Sequence, residues 1–398
     1  MNTVSRIGSQ IIILGNGFDK QCGVPSAFSD YFFDRFKSSE KFLSNLESKK
    51  NFDIHSLWNV FLASNKENGK NNWSDVEGTI RKWILSSEGL ETIFQASTEN
   101  VKPIAQHLKH LFDELQLSDK GKSGFPSFHP WPDACQDEKS YDESVRAFCN
   151  EWRFALLDEQ DKFEKDFTSY MNKFLNEHTE KYNKSADYLF ERIVNAGGCH
   201  EGSCLVISFN YTRPMSPGID RLINEGDWCN VHGVLDQGNI IIGIDSDGLL
   251  GSTNLQSDDV IRFTKTYRLL TRQIRLHDYA PFTKVLDNGQ NVTAIKFYGH
   301  SLSMSDYSYF KIIFDCVDLA NSNVQLFFCH PDESKWFGSL LFPAIRLIGR
   351  YGDDLSDKRK GSNLLQWLML ENRIHFTPID LENQPIISTS NEQEQIPS

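Results

Sequence analysis

The chain has 398 residues, 39% of them hydrophobic and 24% charged, the balance of a globular protein with room for two or three domains or for one domain with a large insertion. Its net charge of −13 sets a polyanionic surface against polyanionic partners, which counts against non-specific nucleic-acid binding. No run of about 18 apolar residues occurs, so no transmembrane helix is expected. Met1 to Arg6 lacks the charged, apolar, then small pattern of a signal peptide. The eight cysteines, at 22, 135, 149, 199, 204, 229, 316 and 329, form no tight framework. Reduced thiols and a cytoplasmic location are therefore expected. Cys199, His200 and Cys204 lack a second ligand pair at zinc spacing, so no metal site is expected.

Residues 9 to 36 read as strand, glycine loop and helix, with Phe28, Tyr31, Phe32 and Phe36 near helical spacing. From 38 to 195 the chain turns rich in Lys, Glu, Asn, Phe and Trp. Phe163, Phe167, Tyr170 and Phe174 mark an amphipathic helix there, and residues 118 to 142 read as a long loop. From about 200 to 380 strands alternate with helices, and the polar stretch 383–398 reads as a disordered tail. The expected fold is an α/β, Rossmann-like parallel-sheet domain built from 1–37 and 196–382, with a large helical insertion at 38–195.

Four apolar runs each end in a polar cluster. Ile11–Leu14 precedes Gly15, Asn16, Gly17, Phe18 and Asp19, and Leu205–Phe209 precedes Asn210, Tyr211 and Thr212. Trp228–Val231 precedes His232 and Gly233, and Ala294–Tyr298 precedes Gly299, His300, Ser301 and Leu302. Ligands of open parallel sheets bind beyond the carboxyl ends of the strands, so these clusters predict one nucleotide-sized site. Glycines after a strand let the backbone turn and approach a ligand. The third position of a dinucleotide fingerprint holds Lys20, however, and no P-loop is present. Asp19 would repel a phosphate; it suits a hydroxyl, a backbone amide or a metal.

The Asn210 amide can orient a sugar hydroxyl or a water without ionising. His232 carries the side chain best poised for proton transfer near neutral pH. Ile240–Ile244 reads as a further strand ending in Asp245. Ser301 or nearby amides could hold phosphate, and Asp306 could hold a hydroxyl or cap a helix. Ser74 and Glu77 make the Ser-x-x-Glu of a capping box, with a catalytic Glu77 as the alternative. Lys265, Arg268, Arg272 and Arg275 share a helix face, read as solvated, with phosphate contact as the alternative.

Gly-Asn-Gly-Phe-Asp, Trp-x-Asp-x-Glu, Phe-Asn-Tyr-Thr, His-Gly, Ile-x-Gly-x-Asp and Gly-His-Ser-Leu with a later Asp, in that order from Gly15 to Asp306, resemble the AbiH family of bacteriophage abortive-infection proteins. More distantly the order is similar to sirtuin-type (sirtuin/DHS-like) NAD-binding domains. That resemblance implies NAD as substrate rather than cofactor, with Asn210 and His232 catalytic and no cofactor or metal required. It places Gly15, Gly17, Gly299 and Ser301 against the nucleotide; Asn16, Asp19, Tyr211, Asp245 and Asp306, from the strand-end clusters, are expected to line the same site. Thr212 stands where the sirtuin-like pattern has Asp. The implied function is an antiphage effector that binds and hydrolyses NAD. The alternatives are a nucleotide-sensing module without turnover that acts through a partner, and a nucleic-acid-targeting toxin. The partners implied are NAD or a related nucleotide, a phage-derived trigger or partner protein, and further copies of the chain. No membrane is implied, and nucleic acid is disfavoured.

Overall fold

A computed structural model describes residues 9–36, 66–67, 70–71, 76–85, 138–198, 204–246, 258–276, 291–331 and 337–385. In chain order its strands of five residues or more are β1 (Ser9–Leu14), β2 (Cys204–Ser208), β3 (Ile223–Asn230), β4 (Val292–Tyr298), β5 (Gln325–Pro331) and β6 (Ile374–Ile379). The helices that matter here are α1 (Asn16–Gln21), α2 (Phe28–Phe36), α3 (Val76–Leu85), α4 (Glu138–Asn195), α5 (Pro217–Leu222), α6 (Lys265–Leu276), α7 (Tyr307–Cys316), α8 (Phe342–Asp354) and α9 (Leu364–Leu370). No helix among the described residues is long and apolar enough to cross a membrane.

The six strands form one parallel sheet in the order β3-β2-β1-β4-β5-β6. This is the strand order of doubly wound dinucleotide-binding sheets, and its direction of growth reverses between β1 and β4. The apolar runs are continuous because both faces of the central strands are buried, as a parallel sheet requires. On one face Ile11, Ile13, Leu205, Ile207, Ile295, Phe297, Leu326 and Phe328 join a core with Phe310 and Phe314 of α7, Leu347 of α8 and Leu368 of α9. Phe297, Phe328 and Phe376 are register partners across three strands, and their rings stack at 4.8 and 5.2 Å. Such cross-strand pairs fix register, since a one-residue slip would turn them to the other face.

The opposite face takes the end of α4. Leu189, Phe190 and Ile193 are fully buried there, and the Phe190 ring lies 5.7 Å from that of Trp228 on β3. Lys296, in the middle of β4, is also fully buried. Its ammonium donates to the backbone carbonyls of Val194 and, at 2.7 Å, Ala196, and stands 5.6 Å from the centre of the Phe327 ring. A helix leaves its last carbonyls without intrahelical partners and ends in a partial negative charge. A lysine reaching out of the sheet satisfies both needs at once.

The chain divides into two compact units: residues 1–26, 171–240 and 275–398, which hold the sheet, and residues 27–170 and 241–274. These divisions fall elsewhere than the composition shifts at 37 and 195. The helical composition of α4 does not tell that its last turns pack on the sheet. The helix also begins at Glu138, inside the stretch read as a loop; residues 118–137 lie outside the described residues. The described residues run to Pro385, and Gln384 is buried, its amide bonded to Gln21 and Ser185. Residues 386–398 of the expected tail lie outside the described residues.

In the second unit, Phe28, Tyr31 and Phe32 of α2 pack their rings against Phe163 and, for Phe28 and Tyr31, Phe167 of α4. The Ile240–Asp245 run is not a sheet strand. Ile244 makes a single parallel bridge to Thr264, while the Ile242 amide donates to Glu164 and its carbonyl accepts from Gln160. Side chains of α4 thus take the hydrogen bonds that a neighbouring strand would have supplied.

Replacing Lys296 by Met should leave the α4 carbonyls buried without a donor. We expect unfolding in urea to show a loss of about 2–5 kcal/mol, from the charged hydrogen bonds and the stranded acceptors. A change below about 0.5 kcal/mol would mean that the ammonium adds nothing to the docking of α4.

Candidate functional site

The ends of β1, β2, β3 and β4 bring four of the sequence clusters to one edge of the sheet. The reversal of strand order places the β1 and β4 loops side by side, and three glycines make their contact feasible. Gly17 N–H donates to the Gly299 carbonyl at 2.7 Å, and Gly15 N–H to that of Tyr298 at 3.0 Å. A Cβ built on Gly15 would lie 2.3 Å from the His300 Cα, and one on Gly17 2.6 Å from the Gly299 Cα. Gly299 has φ +68°, and its Cβ would lie 2.4 Å from the Phe18 nitrogen. Backbone therefore packs on backbone at the switch point, with Asn16, Gly299 and Ser301 left exposed around it. Ser26 donates to the Asn16 side chain.

Asn210 follows β2 and is 5% exposed. Its backbone N–H donates to Ser208 Oγ at 3.2 Å. The loop is braced from β3: the Asn230 amide donates to the carbonyls of Asn210 and Thr212, both at 2.8 Å, and Trp228 Nε1 donates to Asn230 Oδ1 at 3.1 Å. Asn210 Oδ1, in contrast, is buried with no hydrogen-bond partner among the described residues. Buried polar atoms are paired in the great majority of cases, which sets this oxygen apart from its neighbours. Tyr211 is half-buried, and its carbonyl accepts from Leu235 N–H.

Asp19 is buried, and protein groups fill its carboxylate. Thr212 Oγ1 lies 2.8 and 2.7 Å from its two oxygens, and Tyr182 Oη, from α4, lies 2.9 Å from both Asp19 Oδ1 and Thr212 Oγ1. The Asp of the first cluster and the Thr of the second are thus one hydrogen-bonded knot, closed by a tyrosine that no local pattern announces. Burial pushes the Asp19 carboxyl up to about 6, against the hydrogen bonds from Thr212 and Tyr182.

His232 and His300 converge on Asp306. His232 Nε2 lies 3.6 Å from Asp306 Oδ1, and His300 Nε2 lies 3.5 Å from Oδ2. All three residues are under 9% exposed. Asp306 occupies the position before α7, but its carboxylate makes no cap bond to the helix and faces the imidazoles instead. The ring of Phe209 lies 4.4 Å from His300 and 5.5 Å from His232, and Tyr309 stands 5.6 Å from His232. His300, Tyr182 and Thr212 belong with the predicted residues, although sequence reasoning assigned them no role. Among the described residues no group of three or more His, Cys, Asp and Glu side chains is placed to hold a metal ion.

Asp245 does not belong to this unit; it is buried in the other one. There too, Glu77 is the ion-pair partner of buried Lys265 at 2.8 Å, and Arg268 pairs with Asp161 at 3.0 Å and Glu164 at 2.6 Å. The first two cations of the expected solvated face are therefore committed to acidic partners. Trp73 and Ser74 lie outside the described residues.

A family model described as bacteriophage abortive infection AbiH matches residues 11–330. The chain belongs to the AbiH family. No curated protein and no solved structure matches it. The AbiH match takes in β1 to β5 and with them the glycine contact, the Asp19 knot and the His232–Asp306–His300 cluster. Its role is abortive infection; the clustered side chains must carry any argument about the reaction.

The Asp19 knot makes a pH-dependent contribution to stability. The folded carboxyl titrates near 6 and its ordinary value is 3.8, so the folded state holds the proton more tightly. That stabilisation is full below about pH 4 and is lost as pH rises through about 6. Asp19→Asn lacks the step. Between pH 4 and 7 the stability of the natural protein, measured against that variant, should fall by roughly 2 kcal/mol. A rise over the same window would show that hydrogen bonding to the carboxylate outweighs burial.

Proposed function

We propose that this AbiH protein is an abortive-infection effector that hydrolyses the nicotinamide–ribose bond of NAD. The observation that carries the reading is the unpartnered, buried Asn210 Oδ1 at the switch-point edge, one strand away from His232. Dinucleotides bind across this crevice in sheets of this order. In the reaction a water oxygen forms a bond to C1′ of the ribose as the C1′–N bond breaks. Nicotinamide leaves with the bonding pair, its ring nitrogen becoming neutral, and the water loses a proton. His232 accepts that proton, and Asn210 orients the ribose hydroxyl or the water. The oxocarbenium-like transition state needs little covalent help, so positioning and one base suffice.

A second reading, a nucleotide-sensing module without turnover, is favoured by one specific observation. The Asp19 carboxylate, which bonds to the Asn210 loop through Thr212, is already occupied by Thr212 and Tyr182. A nucleic-acid-targeting toxin draws less support, because Lys265 and Arg268 are engaged by acidic side chains.

Incubating the purified protein with NAD should release nicotinamide and ADP-ribose. His232→Ala and Asn210→Ala should each slow release by about 10²–10⁴-fold and abolish phage protection, at unchanged protein levels. NAD that binds but is never consumed, before or after infection, would replace this reading with the sensing module. Protection that survives His232→Ala would remove the base from the mechanism.

A further inference from the structure

Asp306 invites a role as a ligand contact, since it stands at a strand-end cluster, yet its surroundings argue for another. His300 Nδ1 accepts the backbone N–H of Leu302 at 2.8 Å. The neutral His300 ring must then carry its proton on Nε2, the nitrogen that faces Asp306 Oδ2 at 3.5 Å. One carboxylate oxygen thus meets a donor whose tautomer the backbone has chosen. The other faces His232 Nε2 at 3.6 Å. Leu302 makes its bond from φ +53°, a left-handed conformation that costs a non-glycine residue about 1–2 kcal/mol, and its side chain is buried in the core. The core therefore holds the amide that orients His300.

We propose that Asp306 and His300 are positioning residues for His232: His300 fixes the Asp306 carboxylate, and the carboxylate fixes the tautomer and orientation of His232. The proposal rests on the reading of His232 as the proton acceptor, but its structural half stands without any substrate. The titratable side chains packed together here are His232 after β3, His300 after β4, Asp306 before α7 and Tyr309 on α7. Phe209 and Phe310 wall the imidazoles with hydrocarbon, their rings 4.4 and 5.1 Å from His300. With little water between the groups, a carboxylate this close should govern the protonation of the His232 ring. The arrangement follows the logic of a base oriented by a third group, with a further histidine orienting the orienter.

The test uses the full chain labelled at its histidine rings, without nucleotide. Ring resonances are assigned with His232→Gln and His300→Gln and followed by NMR from pH 5 to 9. His300 is expected as the Nε2–H tautomer. Asp306→Asn, checked for folding by circular dichroism, should lower the titration midpoint of His232 by about one pH unit or more. An Nδ1–H tautomer at His300, or a His232 midpoint unmoved in folded Asp306→Asn, overturns the proposal whatever the substrate proves to be. Turnover of NAD then separates positioning from binding. Asp306→Asn should cut kcat by on the order of 10²–10⁴-fold with little change in KM, and move the acid limb of the rate profile with the His232 midpoint. A raised KM with kcat retained would make Asp306 a substrate contact and overturn the positioning role. Natural protein with the expected titrations but no NAD turnover defeats the proposed reaction and leaves the His300–Asp306–His232 geometry standing.

Discussion

A single buried ammonium governs how this sheet is covered. Lys296 lies on β4, beside the central strand, where hydrocarbon would be the ordinary choice, and it reaches the last carbonyls of a 58-residue helix. A charge in such a place is tolerable only when its donors are used, and the carbonyls at a helix end are tolerable only when they are met. Each solves the difficulty of the other. The consequence is positional: with its C-terminus tied to β4, α4 brings Tyr182 to Asp19, and Asp19 in turn holds Thr212 beside Asn210. The geometry of the Asn210 loop therefore traces back, through three hydrogen-bonded links, to a residue that touches no part of the cleft.

The cleft itself is made by what the two middle loops lack. Gly15, Gly17 and Gly299 have no side chains to keep the loops apart, so backbone amides and carbonyls form the floor. Around that floor stand groups of two kinds. Asp19, Asn230 and Thr212 are fully engaged with the protein and act as framework. Asn210 Oδ1 has no hydrogen-bond partner among the described residues, and the His232 imidazole faces the Asp306 carboxylate at 3.6 Å. The contrast between this engaged framework and the unpaired Asn210 oxygen, more than the fold, singles out this edge.

Much of this was legible in the sequence because a parallel sheet writes its strands as unbroken apolar runs and its ligand edge as whatever follows them. That logic found β1, β2, the end of β3, and β4. It failed at Ile240–Asp245, where an equally apolar run has its backbone bonded by Gln160 and Glu164 side chains. Nothing within the run could reveal a partner some 80 residues away. Charge periodicity likewise located one face of α6 but not the acids waiting for Lys265 and Arg268. Tyr182 was invisible because its meaning depends on a contact 163 residues distant. His300 was within reach: a histidine after a strand-end glycine, six residues before an aspartate, carries the same signal that singled out His232.

The interleaving of the chain has a consequence for when the cleft can form. β1 leaves the ribosome first, yet its partners are β2 and β4, so the middle of the sheet has both edges open while the intervening helices are made. Gly15 waits for Gly299, and His232 waits for Asp306. At roughly 5–20 residues per second, the stretch of about 290 residues from Gly15 to Asp306 takes on the order of 15–60 s to emerge. Until then no nascent chain can assemble the cleft, and a message broken before the codon for Asp306 encodes only an incomplete one. Whatever the cleft does, the topology keeps it unassembled until that stretch has emerged.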